Sequence, residues 1–187
     1  MRIFSSLILF GFMLSACGTP VNTDGKGKSD PNARRDSMQK LIKNDEDMIA
    51  ANAKNAMLSP ELASQAVNHY TLFARDFPKD SNAAIYMFKA ADIYASAMHK
   101  YDQAIALLEK IITDHPDFRK MPVCYFEMGV IYDDYLNDDA KAKEYYESFL
   151  QKYPDHPLAP QVKSLISYLG KSNEELMKEF EKKNEGK

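Results

Sequence analysis

Tryptophan is absent from the 187 residues, cysteine occurs twice and histidine four times. So few thiols and imidazoles exclude a disulfide-stapled scaffold and leave little material for a metal centre. Glycine is scarce as well. Of the seven, Gly11, Gly18, Gly25 and Gly27 lie before residue 28 and Gly186 is next to last, so only Gly129 and Gly170 fall in the body of the chain. A glycine-rich phosphate cradle is excluded. Neither sign of charge dominates, with 24 Lys and Arg against 27 Asp and Glu and a formal net charge of −3. Phosphate backbones call for a concentrated cationic excess, so nucleic acid is excluded as the main partner. Strand signals are missing too, since there is no period-two alternation and no Asn-Gly or Asp-Gly turn between β-branched runs. What is present is a chain 45% hydrophobic and 27% charged, of a length that suits one domain with a full apolar core.

One apolar run, Leu7 to Leu14, follows Arg2 and is succeeded by small residues. It is about half the roughly 20 residues that a spanning helix needs, so it predicts a cleaved export signal. Leu14-Ser15-Ala16-Cys17 resembles the lipobox of bacterial lipoproteins. That resemblance implies removal of residues 1–16 and acylation of Cys17, each buried methylene then contributing about 0.8 kcal/mol to attachment at a lipid bilayer. Gly18 in place of Asp after the cysteine is similar to outer-membrane sorting. Residues 17–33 are expected to be the acylated cysteine and a flexible linker, with a root-mean-square reach of roughly 20 Å. With Cys17 acylated, Cys124 has no disulfide partner. Set among Val123, Tyr125 and Phe126, it is expected to be a buried, inert thiol.

An internal repeat fixes the fold class. Pro78, Pro116 and Pro154 are spaced by 38 residues, and so are Ala66, Ala104 and Ala142; Tyr70, Leu108 and Tyr146; and Phe73, Ile111 and Phe149. Between each Ala and its Pro the apolar positions recur at helical spacing, for example Ala104, Leu107, Leu108, Ile111 and Ile112. Each unit therefore contains an amphipathic helix that stops at its Pro. A second stripe precedes it: Ile85, Phe88, Ala91, Ile93 and Tyr94 match Val123, Phe126, Gly129, Ile131 and Tyr132 at the same interval. Ala91 and Gly129 are the small residues that let two helices approach. Upstream, Met38, Leu41, Ile42, Met48, Ile49, Ala53 and Met57 stripe a further helix from about Arg34 to Leu58, and Ser59-Pro60 reads as N-cap and first residue of the next.

These features resemble the tetratricopeptide repeat: a helix pair crossing at small residues, a Tyr closing the first helix, an Ala opening the contact face of the second and a Pro after it. The resemblance implies an all-α, helical-hairpin solenoid of about three 38-residue repeats over residues 34–183, ending in a capping helix pair. Gln161 to Leu169 would be one capping helix, stopped at Gly170. Ser172-Asn173-Glu174-Glu175 would open the other as a capping box, with Leu176, Met177 and Phe180 docking it. Residues 184–187 are expected to fray.

No catalytic constellation is legible. His69 and His115 fall on packing stripes, His99 precedes a turn and His156 follows Pro154-Asp155, without metal-ligand spacing. The acidic stretch Asp133, Asp134, Asp138, Asp139 and Glu144 lacks the register of a calcium loop and reads as a solvated turn. No enzyme activity, cofactor, metal or small-molecule substrate is expected. In a solenoid the first helices line the concave face, which makes Ile85, Phe88, Asp92, Val123, Phe126 and Val130 the candidate partner-binding residues. Phe88 and Phe126 have an alternative role as cover for the next helix. Chaperone-binding members of the tetratricopeptide family that this chain resembles carry Lys and Asn on this face to clamp a peptide carboxylate; the matching positions here are apolar or acidic, with Lys89 and Lys54 as isolated candidates. Anchor and repeats together resemble the BamD-type outer-membrane assembly lipoproteins and the repeat domain of YbgF proteins, although BamD-type chains carry more repeats and YbgF chains begin with a coiled coil. This implies a lipid-anchored adaptor or scaffold at the outer membrane, facing the periplasm and holding another envelope protein. The alternative is a structural spacer or peptidoglycan-associated lipoprotein without a peptide groove.

Overall fold

Every regular element among the described residues is helical, in a computed structural model that describes residues 30–52, 58–172 and, beyond them, 174, 175, 177, 178, 181 and 182. In chain order these are α1 (Pro31–Asn52), α2 (Pro60–Asp76), α3 (Ala83–Ser96), α4 (Tyr101–Asp114), α5 (Met121–Val130), which continues as a π-turn over Ile131–Tyr135, α6 (Asp139–Lys152) and α7 (Ala159–Tyr168). Each helix packs on the next in sequence, as a helical-hairpin stack requires. Cys17 and the leader, residues 18–29, Ala53, Lys54, Met57, Leu176, Phe180 and the tail 184–187 lie outside the described residues.

The 38-residue period is reproduced in backbone angles. Phe77, His115 and Tyr153 end α2, α4 and α6 at φ/ψ of −129/56°, −131/59° and −135/55°. Each precedes a Pro, whose ring pushes its neighbour out of helical geometry. The same two bonds close each joint: Asp80, Phe118 and His156 donate to Phe77, His115 and Tyr153 at 3.0, 2.9 and 3.2 Å. Ala83, Met121 and Ala159 donate in turn to Asp80, Phe118 and His156 at 2.9, 2.9 and 2.8 Å. Helix α7 therefore starts where a fourth unit would start. The C-terminal cap is the first half of another repeat, beginning at Ala159 and not at Gln161. Within units, α3 and α5 both close with a left-handed residue, His99 (φ 53°) and Asn137 (φ 51°). Lys100 and Asp138, the next residues, donate back to Tyr94 and Tyr132 at 2.8 Å each, six residues back, closing a widened last turn.

Buried side chains form two clusters that meet along α3. One runs from α3 to α7 around Met87, Leu108, Ile111, Met128, Tyr146, Phe149 and Val162. The other joins α1, α2 and α3 around Ile42, Ala66, Tyr70 and Phe73. Gly129 lies against Tyr146 so closely that a methyl group there would fall inside the ring's van der Waals surface. Cys124 belongs to the larger cluster, and burial together with the nearby Glu127 carboxylate pushes its thiol up to about 12.

Helix α1 begins at Pro31, three residues before the expected boundary at Arg34, because Asp30 caps it by accepting from the Asn32 amide at 3.0 Å. Its inner face includes Asp45, which is 0% exposed. Gln65 donates to one carboxylate oxygen at 2.6 Å and His69 Nδ1 meets the other at 2.5 Å. Further along, Arg34 pairs with Asp76. At the opposite end of the fold Gly170 takes φ 72°. The capping box forms: the Ser172 amide donates to Glu175 at 2.8 Å and the Glu175 amide to Ser172 at 3.3 Å. Met177, expected to dock that helix, is instead 64% exposed.

Candidate protein-interaction groove

Helix α3 turns its outer face toward the α4–α5 joint, and the hollow between them has a volume of about 630 Å³. Its apolar lining comes from Ala84, Ile85 and Phe88 on α3 and Phe118 in the joint, with Arg119 and Lys120 at the rim. Ile85 is 38% exposed, whereas Phe88 is 8% exposed and forms the floor. The Phe118 ring lies 6.0 Å from that of Phe88, and Lys120 Nζ sits 4.6 Å above the Phe88 ring centroid. Such a volume with an apolar floor and a polar rim suits a bulky side chain.

A second hollow of about 330 Å³ adjoins the first across Lys89, which lines both. Glu46, Ile49, Tyr70, Asp92 and Ile93 form its walls. Lys89 is held by Glu46 at 2.6 Å, and Tyr70 donates to the same carboxylate at 3.3 Å. Two carboxylates lie near these hollows, Asp92 on the wall of the smaller and Glu127 on α5 outside both linings. Burial raises the Asp92 carboxyl, with Lys120 opposing. Glu127, half-buried on α5, is pushed up to about 7, first by burial and then by the Asp92 charge, again with Lys120 opposing.

The six sequence-derived candidates separate here. Ile85 and Phe88 line the larger hollow and Asp92 the smaller. Val123, Phe126 and Val130 line neither; they are half-buried against the larger core cluster, Phe126 with its ring 6.4 Å from that of Tyr146. Lys89 is engaged by Glu46. Phe118 and Lys120 were not legible as groove residues, nor was Glu127 as a carboxylate interacting with Asp92 and Lys120. Phe118 occupies the joint position held by Asp80 and His156 in the other units, so the repeat carries no signal for it. Glu127 follows Phe126 in an apolar stripe.

Other polar candidates have structural partners. His99 Nδ1 lies 3.1 Å from the Tyr101 hydroxyl, and His156 accepts from the Leu158 amide at 3.2 Å. Asp138 caps α6 through the Lys141 amide at 3.0 Å, and Asp133 accepts from Tyr146 at 3.3 Å. Among the described residues no group of three His, Cys, Asp or Glu is placed to hold a metal ion, and no helix is long and apolar enough to cross a membrane.

Among curated proteins nothing matches this chain. The tetratricopeptide repeat family matches at residues 86–117 and 124–156, together about a third of the chain. Both matched stretches open inside a first helix and close beyond the Pro of the following joint, so the hairpins α3–α4 and α5–α6 are similar to tetratricopeptide repeats, a family whose repeats generally bind peptides or other proteins.

Proposed function

We propose that this chain is a lipid-anchored adaptor of the bacterial outer membrane, exported, cut before Cys17, acylated there and holding another envelope protein with its repeat body in the periplasm. The lipobox-like Leu14-Ser15-Ala16-Cys17 and the polar stretch after it support the anchor. The observation that carries the adaptor role is the apolar hollow on the first-helix face, with Ile85 exposed beside a Phe88 floor. A spacer has no use for such a hollow. Its residues would be polar along the first helices.

The test of binding uses Ile85→Glu, which places a charge at the mouth without touching the buried floor. Crosslinking in intact cells should trap a defined envelope protein with the native chain and lose it with the variant, while circular dichroism stays unchanged. Equal trapping by both chains overturns the groove. The anchor is tested separately by mass analysis of the mature N-terminus, where an unmodified Cys17 overturns it, and by Cys17→Ser, which should release the chain from the membrane fraction.

A further inference from the structure

The charges along the groove do not balance locally. Glu46 and Lys89 neutralise one another at 2.6 Å, and Asp114, at the far edge, is held by Lys110. At the outer lip Asp117 and Arg119 are exposed and opposite in sign. Such solvated charges contribute little to recognition energy. Asp92, from α3, lines the smaller hollow with Glu46 and interacts with Glu127, from α5, and among the causes of shift at either carboxyl the one opposing cation is Lys120. Neither carboxylate has an ion pair or a hydrogen bond to another described side chain. Lys120 is also drawn over the Phe88 ring. The surplus is negative: Asp92 is exposed on the wall and Glu127 is half-buried behind it, so an added cation that reaches both meets uncompensated charge. Asp92 is one helical turn beyond Phe88 on α3, about 6 Å along the helix axis.

Resting on the adaptor reading, we propose that the groove docks a partner segment carrying a large aliphatic or aromatic side chain with a Lys or Arg about 6 Å away. The apolar side chain fills the hollow over Phe88, and the cation enters between Asp92 and Glu127. That spacing is met by residues two apart in an extended segment or by three or four apart in a helix. Glu127 also gives the contact a pH signature. Its carboxyl, facing Asp92 and Lys120 and near Cys124 on its own helix, is half ionised near 7. Raising the pH therefore strengthens its attraction for a cation.

The experiment selects a randomised, displayed dodecapeptide library on the whole chain, on Ile85→Glu and on the isosteric double variant Asp92→Asn with Glu127→Gln. The native chain should enrich Leu, Met or Phe with Lys or Arg two to four positions away, about tenfold over the starting library. The double variant should keep the apolar preference and lose the cationic one. A synthetic peptide of the selected sequence should bind several-fold tighter at about pH 8 than at about pH 6. Glu127→Gln should flatten that difference, separating Glu127 from His115, which also lines the hollow. Lys120→Ala, which removes the internal competitor, should tighten binding of the same peptide. Enrichment of Asp or Glu beside the apolar residue, or a cationic preference that survives in the double variant, overturns this proposal and leaves the adaptor standing. Identical selection by the native chain and Ile85→Glu, or no selection by either, overturns the groove itself.

Discussion

Asp45 and Glu127 are carboxylates close to the core with opposite environments. Asp45 is met on both oxygens by Gln65 and His69, so its burial is compensated. Glu127 lacks such partners and its proton is held to about 7, against 4.5 for a free side chain. The consequence for stability has a definite sign. Below about pH 4.5 both native and unfolded chains carry the proton and the group contributes nothing; between about 4.5 and 7 the unfolded chain ionises first and stability falls; above about 7 the loss is complete. Glu127→Gln should therefore be neutral at about pH 4 and stabilising by roughly 1 to 3 kcal/mol at about pH 8, read from denaturant unfolding at the two pH values. Neither residue was visible in the sequence. Asp45 interrupts a stripe of Met and Ile residues, and its partners are 20 and 24 positions away. Apolar periodicity records which positions face inward and passes over a polar one that finds company there.

The helices themselves were legible, because three physical signals recur together at one interval: an apolar face, a small residue at the crossing and a Pro that stops the second helix. Where they coincide, element and partner are both fixed. Each crossing is tuned to its own pair, since the unit with Gly129 sets Tyr146 on the opposite helix, whereas the unit with Ala91 has Leu108 at the corresponding place. Gly129→Ala should cost about 1 to 3 kcal/mol through overlap with that ring. Adding Tyr146→Leu, which copies the second unit's pair, should return much of the loss even though the bond to Asp133 goes with the hydroxyl. Thermal unfolding of the two single variants and the double measures the coupling. The ends of elements were less legible. Helix α1 opens early on an Asp30 cap, and α7 was set two residues late because Pro160 disguises a start at Ala159. The joints between units, where the groove residue Phe118 sits, carry no apolar period at all.

Across the whole molecule, the two apolar clusters make the stack divisible. Cutting the chain after residue 157 removes α7, and with it Ala159 and Val162 from the larger cluster. That leaves the α5–α6 surface uncovered, and the product should melt lower and self-associate, as seen by calorimetry and light scattering. The direction of the repeat, its period and the site of the terminal half-unit could all be reasoned from spacing, whereas the shape of the groove could not, since it needs the joint and two neighbouring helices in place together. The first helix stands apart from the others. Met38 and Ile42 are its only buried apolar residues in the structure, and much of what fastens it is polar: Asp45 to α2, Arg34 to Asp76 and Glu46 to Lys89. Ionic strength reaches the more exposed pairs, Arg34 with Asp76 and Glu46 with Lys89, more readily than it reaches the buried Asp45 or a hydrocarbon seam. The opening segment can therefore peel away in salt as a separate event, with amide exchange along Pro31–Asn52 quickening while the remainder of the solenoid stays closed.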